Sequence, residues 1–219
     1  MKKIGKTILF EKPPVIRGYA AAAGKKESEG PLGNFFDRII YDSYNGQETY
    51  EAAESSLQAD VISRAIAHSG ISADEIDVAL AGDLLNQCVG SGFGLRDFGL
   101  PFLGQYSACA TMGQALLTAA VFVEGGAARN VVCATSSHFC AAERQYRFPL
   151  EYGCVRTPTA QWTVTGAGSC VVGTAPHGVA IIAATAGAIH DYGVADPNNM
   201  GAAMAPAVGI IEPSAVTSK

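Results

Sequence analysis

The spacing of apolar positions predicts a series of alternating strands and helices. Between residues 48 and 68 the apolar positions recur every three or four residues, which is typical of an amphipathic helix, and Gly70 supplies its end. The runs 78–82 and 130–135 are short and apolar, which indicates strands that are buried on both faces. A further helix is predicted over Thr111–Glu124, where small and apolar residues leave little polar surface. We expect this helix to be buried against a sheet.

The regions on either side of this central part carry strand patterns. Residues 6–10 and 15–22 are predicted to form a first strand pair, and residues 24–46 a structured insertion that buries its apolar side chains Phe35, Phe36, Ile39 and Ile40. Later strands are predicted at 161–164, 169–173 and 179–186. Strands and helices that alternate and then give way to a meander predict an α/β fold with a mostly parallel central sheet.

The end of the chain departs from this rhythm. Residues 191–205 have the pattern of a loop that leads into a helix, and nothing after residue 205 supplies another strand and helix. We therefore divide the chain into a folded unit of residues 1–205 and an atypical tail of residues 206–219. The sequence has the pattern of a fold that stops early.

Composition and charge exclude several classes of protein. Apolar residues make up 48% of the chain and charged residues 16%, which suits a buried core. The formal net charge of −5 argues against a general nucleic-acid role, because binding a polyanion requires a basic face. No apolar run approaches the roughly 20 residues of a membrane-spanning helix, and the first residues lack a signal-peptide core. These features predict a soluble protein and leave a peripheral membrane role open.

The six cysteines include one in a segment that suggests chemistry. None of the six belongs to a CxxC pair, so neither a disulfide framework nor a zinc site is expected, and no metal site is predicted. Cys109, in the run 106–113, follows a predicted strand and precedes the predicted helix Thr111–Glu124. Backbone N–H groups and the helix dipole at such a position stabilise a thiolate and can hold a ligand's oxygen atoms. The alternative is a small core residue at a tight junction between strand and helix.

Several runs of residues, together with the cysteine segment, resemble a known family. The cysteine segment is similar to the nucleophile elbow of thiolases and ketoacyl-carrier-protein synthases. Six further runs, in one order, resemble the stage V sporulation protein AD family of the thiolase-like superfamily: 81–87 (AGDLLNQ), 136–139 (SSHF), 143–149 (ERQYRFP), 151–153 (EYG), 161–168 (QWTVTGAG) and 201–206 (GAAMAP). The resemblance covers about residues 6–206. It implies a thiolase-like fold, with this chain truncated to the N-terminal pseudo-symmetric half.

The resemblance implies a function in bacterial spores. It implies a non-catalytic protein that binds dipicolinic acid, with or without Ca²⁺, and needs no cofactor. It also implies association with the other subunits of the stage V sporulation A channel complex, which moves dipicolinate and calcium during sporulation and germination. We therefore expect a peripheral location at the spore inner membrane, solubility when the chain is expressed alone, and no nucleic-acid partner. A homodimer is compatible with the family.

Enzyme activity is not expected, because the partners of the cysteine are missing. Thiolase-fold enzymes need a histidine, with a second histidine or an asparagine, to act as base and oxyanion donors. After Cys109 the chain has only His138, His177 and His190, and none lies in a segment that resembles the catalytic-histidine loops. We therefore expect no acyl transfer and assign no catalytic residue. Two alternatives stay open: a ketoacyl-synthase-like acyltransferase using Cys109, and a structural channel subunit without a ligand.

Five residues are candidates for the ligand site. Cys109 is expected to line it, and Asp83 and His138 follow predicted strands, so both are expected to face the same crevice. Asp83 has the alternatives of holding its own turn or of bridging to the dianion through Ca²⁺. His138 has the alternative of a hydrogen-bonded loop histidine. Arg144 and Arg147 suit the two carboxylates by charge, with a solvated helix surface as the alternative.

The truncation affects the expected affinity. In the resembled family the pocket lies between the two halves of the fold, and this chain supplies one of them. Because a missing wall removes apolar contact and lets water compete for the carboxylates, we expect weak binding or none in this chain.

Overall fold

The computed structural model describes residues 1–142, 163–196 and 199–209, and its centre is a seven-stranded sheet. The neighbouring strands run in the order β4-β3-β8-β7-β5-β6, and β9 pairs with β3. The strands of this sheet are β3 (Val15–Gly24), β4 (Arg38–Ile40), β5 (Val78–Gly82), β6 (Phe102–Gly104), β7 (Asn130–Ser137), β8 (Gly166–Gly173) and β9 (Val179–Ala180). Strands β3 to β7 run in one direction, whereas β8 and β9 run in the other. The predicted α/β fold with a mostly parallel sheet is confirmed.

Two helices cover the two faces of the sheet. The described helices are α1 (Lys25–Ser28), α2 (Tyr50–Ser69), α3 (Val89–Leu95), α4 (Thr111–Glu124) and α5 (Met200–Gly209). On β5, Ala79 and Ala81 pack in the cluster of α2, whereas Val78 and Leu80 pack in the cluster of α4. This alternation places β5 between two apolar layers and explains why its sequence is apolar without interruption.

The ends of α2 follow the signals in the sequence. Thr49 is the N-cap residue, and its side chain accepts a hydrogen bond from the backbone N–H of Ala52 at 3.2 Å. Gly70 ends the helix in the left-handed conformation, with φ of 72°. The helix predicted over residues 48–68 is therefore confirmed, with its start and end set by these two caps.

Helix α4 has the bounds that the sequence predicted. Ala115, Ala119 and Ala120 are fully buried against the sheet, while Leu116 and Phe122 are partly buried and pack around the same cluster. The helix is therefore packed on its sheet side, and much of the rest of its surface is half-exposed.

The expectation that residues 6–10 and 15–22 pair with each other is wrong. Strand β2 (Thr7–Leu9) does not pair with β3, but lies in a separate three-stranded sheet between β1 (Lys2–Ile4) and β10 (Ala183–Thr185). The link from β2 to β3 contains Pro13 and Pro14, which have no N–H to donate to a hairpin ladder.

The apolar residues of the 24–46 insertion are only partly buried. Ile40 is buried and Phe36 and Ile39 are half-buried, but Phe35 is 79% exposed. A 3₁₀ turn from Gly33 to Phe35 points that ring outward.

Toward the C-terminus, the loop and helix predicted from residue 191 onward are present. Helix α5 crosses the boundary that we placed at residue 205. Within the described residues, no helix combines the length and the apolar character that crossing a bilayer requires. The described cysteines, Cys88, Cys109, Cys133, Cys140 and Cys170, are all free thiols.

Candidate functional site

Cys109 lies in a strained turn that links β6 to α4. The turn is a 3₁₀ segment, Ala108–Ala110, directly before Thr111. Ala108 has a positive φ of 44°, which a residue other than glycine adopts only when its surroundings enforce it. The Thr111 hydroxyl enforces it here, because it donates to the Ala108 carbonyl at 2.7 Å and accepts from the Ser107 N–H at 3.1 Å. The turn leaves the Cys109 side chain exposed.

Cys109 opens onto a cavity of about 320 Å³ at the end of the sheet, which we call the pocket. Its described lining residues are mostly small or apolar, and four of them carry a hydroxyl group: Thr111, Thr135, Ser136 and Ser137. Three of these hydroxyls donate to protein oxygens: Thr111 to Ala108, Ser136 to Glu54 and Ser137 to Val164. No charged side chain is among the described lining residues. The pocket therefore presents an open, mostly apolar slot beside a thiol.

Asp83 does not face the pocket but holds the loop beside it. Its side chain is 2% exposed. One carboxylate oxygen, Oδ1, accepts from the Leu85 N–H at 2.8 Å, and the other, Oδ2, accepts from the N–H and the hydroxyl of Ser91, each at 2.6 Å. A side chain at position 90 would start 3.0 Å from this carboxyl group, so any residue larger than glycine would press on Asp83. Of the alternatives for Asp83, the structure shows the turn-holding one, and it is Leu84 that lines the pocket.

Both ring nitrogens of His138 likewise form hydrogen bonds within the protein. The ring is 1% exposed, its Nδ1 accepts from the Cys140 N–H at 3.1 Å, and its Nε2 lies 2.8 Å from the Ser43 carbonyl. Because Nδ1 accepts, the proton is on Nε2, which donates to Ser43. Burial lowers the pKa of His138 and favours the neutral ring, although the Ser43 carbonyl and the charge of Glu51 oppose this shift.

The structure therefore brings the neighbourhoods of three predicted site residues together, but only one of the three side chains to the pocket. Leu84 and Ser137, which adjoin Asp83 and His138 in the chain, line the pocket with Cys109. The expectation that the side chains of Asp83 and His138 face the same crevice as Cys109 is wrong for the described pocket, because both are buried in hydrogen bonds within the protein. Arg144 and Arg147 lie outside the described residues, so their ligand-binding role stays a prediction.

A buried polar group behind the pocket was missed in the sequence. Glu54 and Gln58 lie on the buried side of α2 at 1% and 0% exposure, and both contact Ser136 of the pocket. The available signal was the spacing, since these two polar residues, four apart, interrupt the apolar stripe that carries Leu57 and Val61.

A second cavity of about 380 Å³ lies near α1. Its described lining includes Lys25, Lys26, Tyr41 and Phe139. Lys26 forms an exposed ion pair with Glu29 at 2.8 Å. Within the described residues, no group of three or more histidine, cysteine or acidic side chains is arranged to hold a metal ion.

Comparison with known proteins decides the family. A family model described as stage V sporulation protein AD (SpoVAD) matches residues 5–213. The chain belongs to the stage V sporulation protein AD family. The protein of that name from Bacillus subtilis (strain 168) is 42% identical over 208 residues, which cover 94% of this chain and 62% of the relative. This member of the SpoVAD family thus spans less than two thirds of the length of that curated relative.

Solved structures that resemble this SpoVAD family member have the thiolase-like fold. The tetronic acid condensing enzyme AbyA1 superposes with a TM-score of 0.53 at 16% identity, over 76% of this chain and 56% of that one. A variant of OleA from Xanthomonas campestris gives a TM-score of 0.52 at 15% identity, over 75% and 57% of the two chains. At these identities the likeness shows the fold alone, and it confirms the thiolase-like fold that the sequence predicted.

Proposed function

We propose that this protein binds dipicolinic acid without catalysing a reaction, and that it serves the channel complex that moves dipicolinate and calcium in spores. Membership of the SpoVAD family gives it a role in sporulation. The observation that carries the ligand proposal is the pocket beside exposed Cys109, a cavity of about 320 Å³ at the end of the sheet. This volume is at the lower end of the range for small-molecule sites and suits a small flat ligand.

The lining of the pocket suits the ring of dipicolinate better than its two carboxylates. Small residues such as Ala23, Ala167 and Gly168 leave room for a flat ring, and Phe36 and Met112 supply apolar contact. The carboxylates need donors or cations, and the described lining offers no cation. Arg144 and Arg147 are our candidates for these partners. We propose that this chain binds dipicolinate weakly, because the described lining supplies the slot but no cation.

The non-catalytic role is supported by the surroundings of Cys109. No histidine is among the described residues that line its pocket, and both ring nitrogens of His138 are engaged elsewhere. A thiol without a base or oxyanion donors does not complete acyl transfer. The acyltransferase alternative is favoured by one observation, the exposed cysteine in a strained turn before α4. Condensation or acyl release that disappears in Cys109→Ser would establish that alternative.

The family role in sporulation supports a proposal for partners and location. We propose that the protein acts peripherally at the spore inner membrane, bound to the other subunits of the stage V sporulation A channel complex. Co-purification of those subunits with the tagged protein from sporulating cells tests this part. Recovery of the protein without them from gently solubilised spore membranes would contradict it.

Thermal unfolding with added dipicolinate tests the ligand proposal. A ligand that binds only the folded state raises the unfolding midpoint in a concentration-dependent manner. We expect a rise with millimolar dipicolinate, in Ca²⁺ or in a chelator, and none with benzoate, which has one carboxylate. An unchanged midpoint with dipicolinate would support the alternative of a structural subunit without a ligand.

A further inference from the structure

Behind the pocket, five buried side chains form a continuous hydrogen-bonded relay. The Ser136 hydroxyl donates to Glu54 Oε1 at 3.0 Å and accepts from Gln58 Nε2 at 3.2 Å. The same Nε2 donates to Ser91 Oγ at 3.1 Å, and the Ser91 hydroxyl donates to Asp83 Oδ2 at 2.6 Å. All five are buried, at 8% exposure or less. Glu54 and Ser136 form one end of the relay, and the part of the pocket that Ser136 lines is called the floor. The other end is the loop that follows β5.

The orientation of the Gln58 amide makes it the hub of this relay. Its Nε2 also lies 3.3 Å from the carbonyl oxygen of Gly82, which can only accept, so the nitrogen must point there and its two hydrogens are shared among three acceptors. The other amide atom, Oε1, is buried and has no hydrogen-bond partner in the part of the chain that the structure describes. An unpaired buried oxygen is unfavourable, so the donated bonds must hold the amide in this orientation. Two of those bonds go to Ser91 and Ser136.

The loop at the far end of the relay is strained and forms part of the pocket. Gln87 and Cys88 are consecutive residues with positive φ, 61° and 54°, although neither is glycine. Such backbone persists only where neighbouring contacts enforce it. The contacts of Asp83 with Leu85 and Ser91 tie the two ends of the loop together, and Leu84 between them lines the pocket. We call Leu84 the wall of the pocket.

We propose that Gln58 is a positioning residue that couples the floor of the pocket to its wall. The Gln58 amide bonds to both Ser136 and Ser91, so a shift of the Ser136 hydroxyl also moves Ser91. Ser91 in turn holds the Asp83 carboxylate, which fixes the loop that carries Leu84. A ligand that shifts the floor therefore shifts the wall as well. This role in ligand binding rests on the proposed function, whereas the coupling itself is a property of the free protein.

Hydrogen exchange of the ligand-free chain, measured by mass spectrometry, tests the coupling. We expect Ser136→Ala to raise the exchange rate of peptides covering residues 83–91 by about fivefold, because one hydrogen bond of the hub is lost. Ser169→Ala is the matched control, since it removes an equally buried hydroxyl that bonds to the Cys133 carbonyl and does not contact Gln58. It should leave the exchange of residues 83–91 unchanged.

A double-variant cycle shows whether the effect passes through Gln58. In Gln58→Met, which keeps the side-chain length but has no donor, the exchange of residues 83–91 should already be fast, and adding Ser136→Ala should change it no further. Equal effects of Ser136→Ala with and without Gln58 would overturn the proposal, as would no effect in the wild-type background. If Gln58→Met does not fold, the two single variants still test the coupling. Ser136→Ala should speed the exchange of residues 83–91 and Ser169→Ala should not, and equal rates in the two variants would overturn the proposal.

A separate experiment with dipicolinate distinguishes failure of the coupling from failure of the proposed ligand. It measures the rate at which Cys109 is alkylated with and without dipicolinate. No protection of Cys109, together with a loosened 83–91 loop in Ser136→Ala, would refute the proposed ligand and leave the coupling intact. Protection of Cys109 without any effect of Ser136→Ala on the loop would refute the coupling and leave the ligand proposal intact.

Discussion

Asp83 and Ser91 are joined twice, because one carboxylate oxygen accepts both the backbone N–H and the hydroxyl of Ser91 at 2.6 Å. Together with the bond from Leu85, this contact fixes the loop after β5 and turns Leu84 toward the pocket. The sequence suggests Asp83 as a ligand contact, but Asp83 shapes the pocket indirectly, by holding the loop that carries Leu84.

Replacing Asp83 should lower the free energy of unfolding even when no ligand is present. Asp83→Asn keeps the shape but weakens charge-assisted bonds to two N–H groups and a hydroxyl, so we expect a loss of about 2 kcal/mol in the free energy of unfolding. Urea denaturation measures it. Asp97→Asn is the control, because the ion pair of Asp97 with Arg96 is exposed and its loss should change stability little. Equal stability of the two variants would refute the loop-holding role.

Asp83→Arg is the stronger form of the same test. A buried arginine would lack the partners that its charge requires, so the loop should open and dipicolinate affinity should fall. Calorimetric titration with dipicolinate measures the affinity. A rise in affinity would instead mean that position 83 faces the carboxylates directly.

Cys109→Arg should abolish binding and leave the fold intact. The side chain is exposed at the mouth of the pocket, so an arginine fills the slot by bulk and adds no buried charge. We expect an unchanged unfolding midpoint without ligand and no shift with dipicolinate. Cys109→Ser, which is nearly isosteric, should keep the shift. Full ligand-induced stabilisation of Cys109→Arg would place the ligand elsewhere, for example in the cavity near Lys25.

His138 should make the protein less stable at acidic pH. Burial holds the pKa of His138 below its unfolded value, so as the pH falls below about 6.5 the unfolded chain takes up a proton that the native ring does not. The associated stability is complete above that pH and is lost as the pH falls toward the folded pKa. Urea midpoints of wild type and His138→Gln between pH 8 and pH 5 measure this contribution.

The exposed His177 supplies the control for this titration. His177→Gln should keep the acid sensitivity of the wild type, whereas His138→Gln should reduce it. The same pH dependence in all three proteins would show that His138 does not titrate as its burial requires.

The five described cysteines should differ widely in reactivity. Burial raises the pKa of Cys88, and a hydrogen bond with Cys170, together with burial, raises that of Cys133, so both stay protonated near neutral pH. Cys109 is exposed. Peptide mapping after brief treatment with iodoacetamide at pH 7.5 should find Cys109 labelled well before Cys88, Cys133 and Cys170. Labelling of Cys133 at the rate of Cys109 would contradict the packing of β7 against β8.

Local sequence signals predicted the parts of the fold that depend on local physics. Helix α4 needed only its run of small and apolar residues, and the end of α2 needed only Gly70. The partner of β2 was not predictable in this way, because β10 lies more than 170 residues further along the chain. For the site, the sequence placed Cys109 at a turn before a helix. It could not show that Asp83 and His138 turn away from the pocket, because their partners come from Ser91 and Ser43.

Protection of Cys109 from alkylation by dipicolinate tests the central claim most directly. Its labelling rate with iodoacetamide is measured by peptide mapping as dipicolinate is raised, with benzoate as the control. We expect a saturable fall in the Cys109 rate at millimolar dipicolinate, no fall with benzoate, and no change at the half-buried Cys140. A Cys109 rate that is the same at every dipicolinate concentration would contradict that claim.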